Sequence, residues 1–93
     1  MIESFRGQDT EELFYRRRAT GLPSTIWRVA HRKRRQLHVA STLQDMRVPP
    51  GNHLEALEGD RKGQHSIRIN VQWRICFHWR DGNAYDVEIV DYH

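Results

Sequence analysis

The residues with most chemistry to offer lie in the last third of the chain. Arg68, Arg74, Glu88, Asp91, Tyr92 and His93 supply guanidinium, carboxylate, phenol and imidazole, and Arg61 and Lys62 add cations in the loop Gly59-Asp60-Arg61-Lys62-Gly63 just upstream. Such a set suits cleavage of an RNA phosphodiester without a metal. That reaction needs a base for the 2′-OH proton, a cation for the crowded phosphate and an acid for the departing 5′-oxygen. Arg74 offers a bidentate guanidinium to the phosphate. His93, with an ordinary pKa near 6.5, serves as acid or base, and Tyr92 or Asp91 shares the proton transfer or orients the imidazole. Each has a plainer use as well: a strand arginine often pairs with a carboxylate, here Glu88, and a histidine ending a strand is often solvated.

For these groups to converge they must share one face of a sheet. Ile67, Ile69 and Val71 alternate with Ser66, Arg68 and Asn70; Trp73, Ile75, Phe77 and Trp79 with Arg74, Cys76 and His78; Tyr85, Val87 and Ile89 with Asp86, Glu88 and Val90. The alternation predicts three antiparallel strands, each with one apolar face. Asp81-Gly82 marks the hairpin between the last two. A two-residue loop would set Phe77 against Asp86 and Ile75 against Glu88. A three-residue loop, Asp81-Gly82-Asn83, is therefore expected, pairing Trp79 with Tyr85, Phe77 with Val87 and Ile75 with Ile89. By the same logic Ile69 lies opposite Trp73, Ile67 opposite Ile75 and Arg68 near Arg74. His78 then faces Asp86 across the hairpin.

The elements that cover the apolar face come before the break Val48-Pro49-Pro50-Gly51-Asn52. Ile2 to Phe5 reads as a short strand. Asp9 or Thr10 is the expected N-cap of a short helix with Glu11 and Glu12 in its first turn, ending in Arg16-Arg17-Arg18 before Gly21. Pro23 and Ser24 open a longer helix whose stripe is Ile26, Val29, Ala30, Lys33, Leu37, Ala40 and Leu43, with the stem of Lys33 laid along it. Its other faces carry Arg28, Arg32, Arg34 and Arg35, with His31 and His38. From Arg16 to Arg35 there are eight basic residues and no acidic one; from Asp81 to His93 there are four acidic residues and no Lys or Arg. The formal net charge of only +3 hides this polarity. The basic stretch is either a solvated helix face or an electrostatic footprint for nucleic acid.

Composition excludes several classes. Ninety-three residues, 38% of them hydrophobic, suit one domain over 1–93 and no enclosed pocket of the kind large enzymes build. The single cysteine, Cys76, cannot form an intrachain disulfide and is expected to pack between strands, which points to a reducing cytosol. No apolar leader and no membrane-length apolar run is present, so a cytoplasmic location is expected, with no membrane partner. The histidines (31, 38, 53, 65, 78, 93) lack a compact ligand spacing. Without a GxxxxGK[ST] loop, nucleotide hydrolysis is unsupported, and no metal or other cofactor is expected.

The run Leu54-Glu55-Ala56-Leu57-Glu58-Gly59-Asp60-Arg61-Lys62-Gly63, then Ser66-Ile67-Arg68-Ile69-Asn70, Trp73-Arg74-Ile75-Cys76-Phe77 and Val87-Glu88-Ile89-Val90-Asp91-Tyr92-His93, resembles the HigB toxins of the RelE superfamily. The resemblance extends over essentially the whole chain. It implies an α+β, RelE-like compact domain, with an N-terminal strand and two helices packed on one face of a small, mainly antiparallel sheet. It also implies the toxin of a type II toxin–antitoxin pair, a ribosome-dependent endoribonuclease that cuts mRNA in the 30S A site of the 70S ribosome. The implied partner is a HigA-like helix-turn-helix antitoxin, through which alone the complex would meet operator DNA. Arg74 matches the phosphate-stabilising arginine of the family, and Asp91, Tyr92 and His93 its functional triplet. Arg16, Arg17, Arg18, Arg28, Arg32, Arg34 and Arg35 become candidates for ribosomal RNA contacts, and Arg61, Lys62 and Arg68 for RNA near the site. The chain departs from the family at Glu58, where relatives commonly carry lysine, at Glu55, where some have histidine, and at Val71, where Asp or Asn is frequent. Either Lys62 or Arg61 then supplies the missing positive charge, or the toxin is attenuated. A non-catalytic RNA- or ribosome-binding module is the alternative.

Overall fold

A computed structural model describes residues 1–92. Gly7, at φ 91°, is the N-cap and turns the chain into helix α1 (Gln8–Arg16), two or three residues ahead of the expected cap. Asp9 and Glu11 therefore sit in its first turn, favourably for the helix dipole. Thr10 is engaged elsewhere: its buried hydroxyl accepts the backbone N–H of Ile89 at 2.9 Å. The helix stops at Arg17, which is left-handed (φ 61°) and donates its N–H to the Leu13 carbonyl. Helix α2 (Ser24–Val39) follows Pro23 and buries Ile26, Ala30, Lys33 and Leu37, in the expected spacing. Ala40 is its C-cap, and Leu43 begins a separate 3-10 turn, Leu43–Arg47.

Four strands, not three, form an antiparallel sheet in chain order: β1 (Glu55–Ala56), β2 (His65–Arg68), β3 (Trp73–Arg80) and β4 (Asn83–Asp91). Both helices pack on its apolar face, where Ile67, Ile75, Phe77, Val87 and Ile89 join Leu13, Ile26, Ala30 and Leu37 in one core. Ile67 pairs with Ile75 and Arg68 with Arg74, as the alternation requires. Ile69 donates its N–H to the Trp73 carbonyl at 2.8 Å. That closure leaves residues 70–72 as a turn held by Asn70 Oδ1, which accepts from the N–H groups of Gln72 and Trp73. Val71, expected in the strand alternation, is thereby expelled to solvent.

The β3–β4 hairpin differs from expectation. Asp81 (φ 51°) and Gly82 (φ 79°) make a two-residue turn of the type that matches strand twist, so Arg80 pairs with Asn83, Trp79 with Ala84 and His78 with Tyr85. Further along, Cys76 pairs with Glu88 and Ile75 with Ile89. Between these stretches two residues of β4, Asp86 and Val87, oppose Phe77 alone. This is a bulge, and Asp86 adopts φ 52° within it. The bulge absorbs the one-residue slip that the short turn would cause, so the apolar face survives. The two-residue turn sets His78 opposite Tyr85 rather than Asp86, and the imidazole Nε2 lies 3.4 Å from Gln64 Nε2.

The N-terminal segment runs parallel along the free edge of β4 but bridges it only at Ile2–Ala84 and Phe5–Val87, not as a continuous strand. The bulge interrupts the ladder between those bridges. There the Ser4 hydroxyl accepts the Asp86 N–H at 2.8 Å, replacing a ladder bond.

Candidate active site

Because side chains alternate along β3, Arg74 projects from the sheet face opposite the helices. That face is not open at this point. Arg74 is only 8% exposed, Ser66 and Cys76 are completely buried, and His53 and Glu55, just before and on the edge strand β1, reach the guanidinium. Burying a guanidinium requires partners. Arg74 Nε donates to Ser66 Oγ at 2.8 Å, Nη2 to the His53 carbonyl at 2.6 Å, and Nη1 meets Glu55 Oε1 at 3.3 Å. A guanidinium has five N–H groups, so these contacts leave donors for a phosphate. The Tyr92 ring lies 5.6 Å from the Arg74 guanidinium carbon. Tyr92 is positioned by its backbone N–H, donated to the Gln72 carbonyl at 2.7 Å, and Asp91 Oδ2 accepts from Gln72 Nε2 at 3.0 Å.

The ion pair expected between Arg74 and Glu88 is exchanged for two others. Glu88 pairs with Arg61 at 3.2 Å, and Arg61 also donates to Gln64, while Arg74 takes Glu55. Of the two loop cations, Arg61 is thus engaged and Lys62 is exposed at the end of the Gly59–Arg61 turn. Arg68, beside Arg74 in the ladder, donates Nε to the Asn70 carbonyl at 3.1 Å. His93 lies outside the described residues.

The backbone that holds Arg74 is itself anchored from the core side. His53 is left-handed (φ 46°) directly after Asn52, which is fully buried. Asn52 Oδ1 accepts from the buried Lys33 Nζ at 2.9 Å, and its Nδ2 donates to the Met46 carbonyl at 3.1 Å. Burial, with Arg32, Arg68 and Arg74 nearby, lowers the Lys33 pKa. The stem of Lys33 does lie in the helix stripe, but its ammonium is tied to the loop that supports Arg74. No local pattern in the sequence marks Ser66, Asn52 or the His53 carbonyl as part of the site. Their only signal is proximity created by the two-residue β1, which is too short to show an alternation. Cys76 packs beneath, and burial raises its thiol pKa.

The remaining basic candidates are not part of this face. Arg16, Arg18, Arg32 and Arg35 are exposed on the helical side, and Arg17 and Arg28 line a shallow groove there. Arg34, expected on a solvated face, is buried. Its guanidinium carbon sits 3.9 Å from the Phe14 ring centre, and its Nη2 lies 3.0 Å from His31 Nε2. Since α1 crosses α2 there, this face of α2 is an interhelical contact rather than a surface.

Compared with known proteins, residues 3–93 match the model of the family described as RelE-like toxin of type II toxin-antitoxin system HigB. The chain is 48% identical over 63 residues to a Vibrio cholerae protein named Toxin HigB-1, covering 68% of this chain and 66% of that one. It is 35% identical over 63 residues to an uncharacterized protein of Haemophilus influenzae, covering 68% of this chain and 62% of that one. Those matches span about two thirds of the relatives' length or less. Over the full length of both chains, it is 29% identical to a Proteus vulgaris protein named Endoribonuclease HigB.

Proposed function

The chain belongs to the RelE-like HigB toxins of type II toxin–antitoxin systems, and from that premise we propose that it is an endoribonuclease that acts on mRNA in the A site of the 30S subunit, arresting translation. The observation that carries this reading is Arg74, a nearly buried guanidinium held by Ser66, His53 and Glu55 beside the Tyr92 ring. A cation fixed before substrate arrives stabilises charge developing on a phosphate with little reorganisation. The 2′-oxygen attacks phosphorus, its proton passes to a base, and the departing 5′-oxygen takes a proton from an acid. His93, with Tyr92 and Asp91, supplies these proton transfers, and Arg74 holds the non-bridging oxygens. No residue role in this scheme calls on a metal. Lys62 draws the RNA toward the site, since Arg61 is engaged by Glu88. The exposed arginines of the helical side supply long-range attraction to ribosomal RNA. The protein works in the cytoplasm. Its partner is a HigA-like helix-turn-helix antitoxin, and the complex reaches operator DNA through that antitoxin.

A chain of 93 residues is small for building a deep pocket that orients RNA by itself, which suits a substrate positioned by the ribosome. The test is to induce the wild-type chain and a chain lacking His93 and to map mRNA 5′ ends on ribosomes. New ends within codons are expected only with the wild type. Ribosome binding without new ends would establish a non-catalytic binder, and equal cleavage by both chains would remove His93 from the chemistry.

A further inference from the structure

Away from the Arg74 face, the junction between the end of α1 and the start of α2 forms an open groove of about 410 Å³ lined by Arg17, Ser24, Trp27, Arg28 and His31. We propose that this groove holds one unpaired RNA nucleotide, with the base stacked on Trp27 and the phosphate between Arg17 and Arg28. The indole is set before any ligand arrives: its Nε1 donates to the Leu22 carbonyl at 2.9 Å, so what it offers the groove is its ring. The imidazole is also fixed in state. Arginine can only donate, so the Arg34 contact makes His31 Nε2 an acceptor and leaves a neutral ring whose proton is on Nδ1. Burial and the charges of Arg34, Arg17 and Arg35 act in the same direction, lowering the His31 pKa.

The lining of the groove is basic, with the nearest described carboxylates at the connection between the helices, where Glu12 accepts the Thr20 N–H and Asp9 lies against Gly21. No acidic residue lines the groove itself, and the first turn of α2, whose N-terminus opens at Ser24, contains none. A phosphate meets two guanidiniums there together with the positive end of a helix. Flanking Arg16, Arg18, Arg32 and Arg35, all exposed, continue the positive surface beyond the groove, as a backbone with repeated charges requires. A carboxylate side chain of an acidic peptide would answer the charge but leave the indole unmatched. A nucleotide answers both, because it joins an aromatic plane to a phosphodiester, the combination that single-strand binders use. The groove is on the helical side, so its occupation leaves the Arg74 face accessible, and the proposal stands whether or not Arg74 cleaves RNA.

The experiment uses the full chain carrying Arg74→Ala, so that RNA is not consumed, titrated with a short single-stranded oligoadenylate, an RNA duplex of equal charge and an oligoglutamate. Tryptophan fluorescence and anisotropy are read together. Single-stranded RNA should quench a component of the emission that is lost in Trp27→Phe. Trp27→Ala should weaken binding by about 5- to 100-fold, the range for one stacked base, and Arg28→Gln should reduce the salt slope by about one phosphate contact. Trp27→Phe keeps an aromatic ring against the core and Arg28 is exposed, so these two variants carry the test if Trp27→Ala does not fold. Equal affinity for duplex and single strand, quenching by oligoglutamate but not RNA, or unchanged binding in both Trp27→Phe and Arg28→Gln would overturn the proposal.

Discussion

Arg74 is held by three contacts of different kinds: a hydroxyl, a carbonyl and a carboxylate. Only the carboxylate resembles a phosphate, so on the proposed role of Arg74 Glu55, about half exposed, would compete with substrate for the same guanidinium while Ser66 and His53 hold it in place. Glu55→Gln should therefore raise cleavage at low substrate by about two- to fivefold, as expected for loss of a partly exposed ion pair. The gain should appear in KM rather than kcat; a large fall in kcat would instead make Glu55 a proton acceptor in the reaction. Arg74→Lys keeps the charge but loses the planar fork and the fixed Nε contact to Ser66. Single-turnover cleavage on programmed ribosomes should fall by about 10²- to 10³-fold, with circular dichroism unchanged. Cleavage at the wild-type rate would show that Arg74 acts only as a structural cation.

The β3–β4 hairpin shows how one element reconciles two local demands. Asp81-Gly82 favours a two-residue turn, and the apolar residues of the two strands favour a register one residue away. The left-handed Asp86 satisfies both by adding a residue to β4. Asp tolerates this conformation but glycine does so without steric cost, and a β-branched residue strains it. Because the Asp86 N–H bond to Ser4 is made by backbone, it survives substitution. Asp86→Gly should change stability in urea by no more than about +0.5 to +1 kcal/mol, the gain from relieved strain opposed by added chain entropy. Asp86→Val should lower it by about 1–2 kcal/mol. If valine were as stable as glycine, the bulge would not be where the strain resides. The same residue explains why the N-terminal segment makes two bridges to β4 instead of a full strand.

Across the whole molecule, which measures 31 × 26 × 25 Å, charge is arranged by side. The helical side carries exposed arginines, and the Arg74 face pairs cations with carboxylates. The histidines add a dependence on pH. His38 is lowered chiefly by burial, then by the N-terminal ammonium and Arg34 and against Glu3, and its Nδ1 accepts the Ile2 N–H at 3.1 Å. Burial also lowers His65, and burial with three arginines lowers His31. A histidine whose folded pKa lies below its unfolded value takes up protons on unfolding. The stability it contributes is complete above pH about 6.5 and is lost as pH falls through the folded pKa. Asp45, lowered by N–H donation from Thr42 and Ser41, adds the same sign only nearer the carboxylate range. Thermal midpoints should therefore fall between pH 7.5 and pH 5.5, and His38→Gln should flatten the slope. A midpoint independent of pH over that interval would contradict these environments.

Much of this was legible in the residues themselves. The period of two along 67–89 placed Arg68, Arg74 and Glu88 opposite the core, and the three-and-four spacing of Ile26, Ala30, Lys33 and Leu37 chose the buried stripe of α2, because side-chain direction follows directly from backbone geometry. The order of charges along the chain likewise set a basic helical side. Tertiary structure alone decided the bond of Ser4 to the Asp86 bulge, the exchange of Glu88 for Glu55 as partner of Arg74, the burial of Arg34 on Phe14 and the meeting of Arg17 with Trp27 and Arg28. Each depends on segments brought together by folding, as Ser4 and Asp86 are across 82 residues. Periodicity reports which way a side chain points, but a partner is chosen by the packing of whole elements, and no local pattern encodes that.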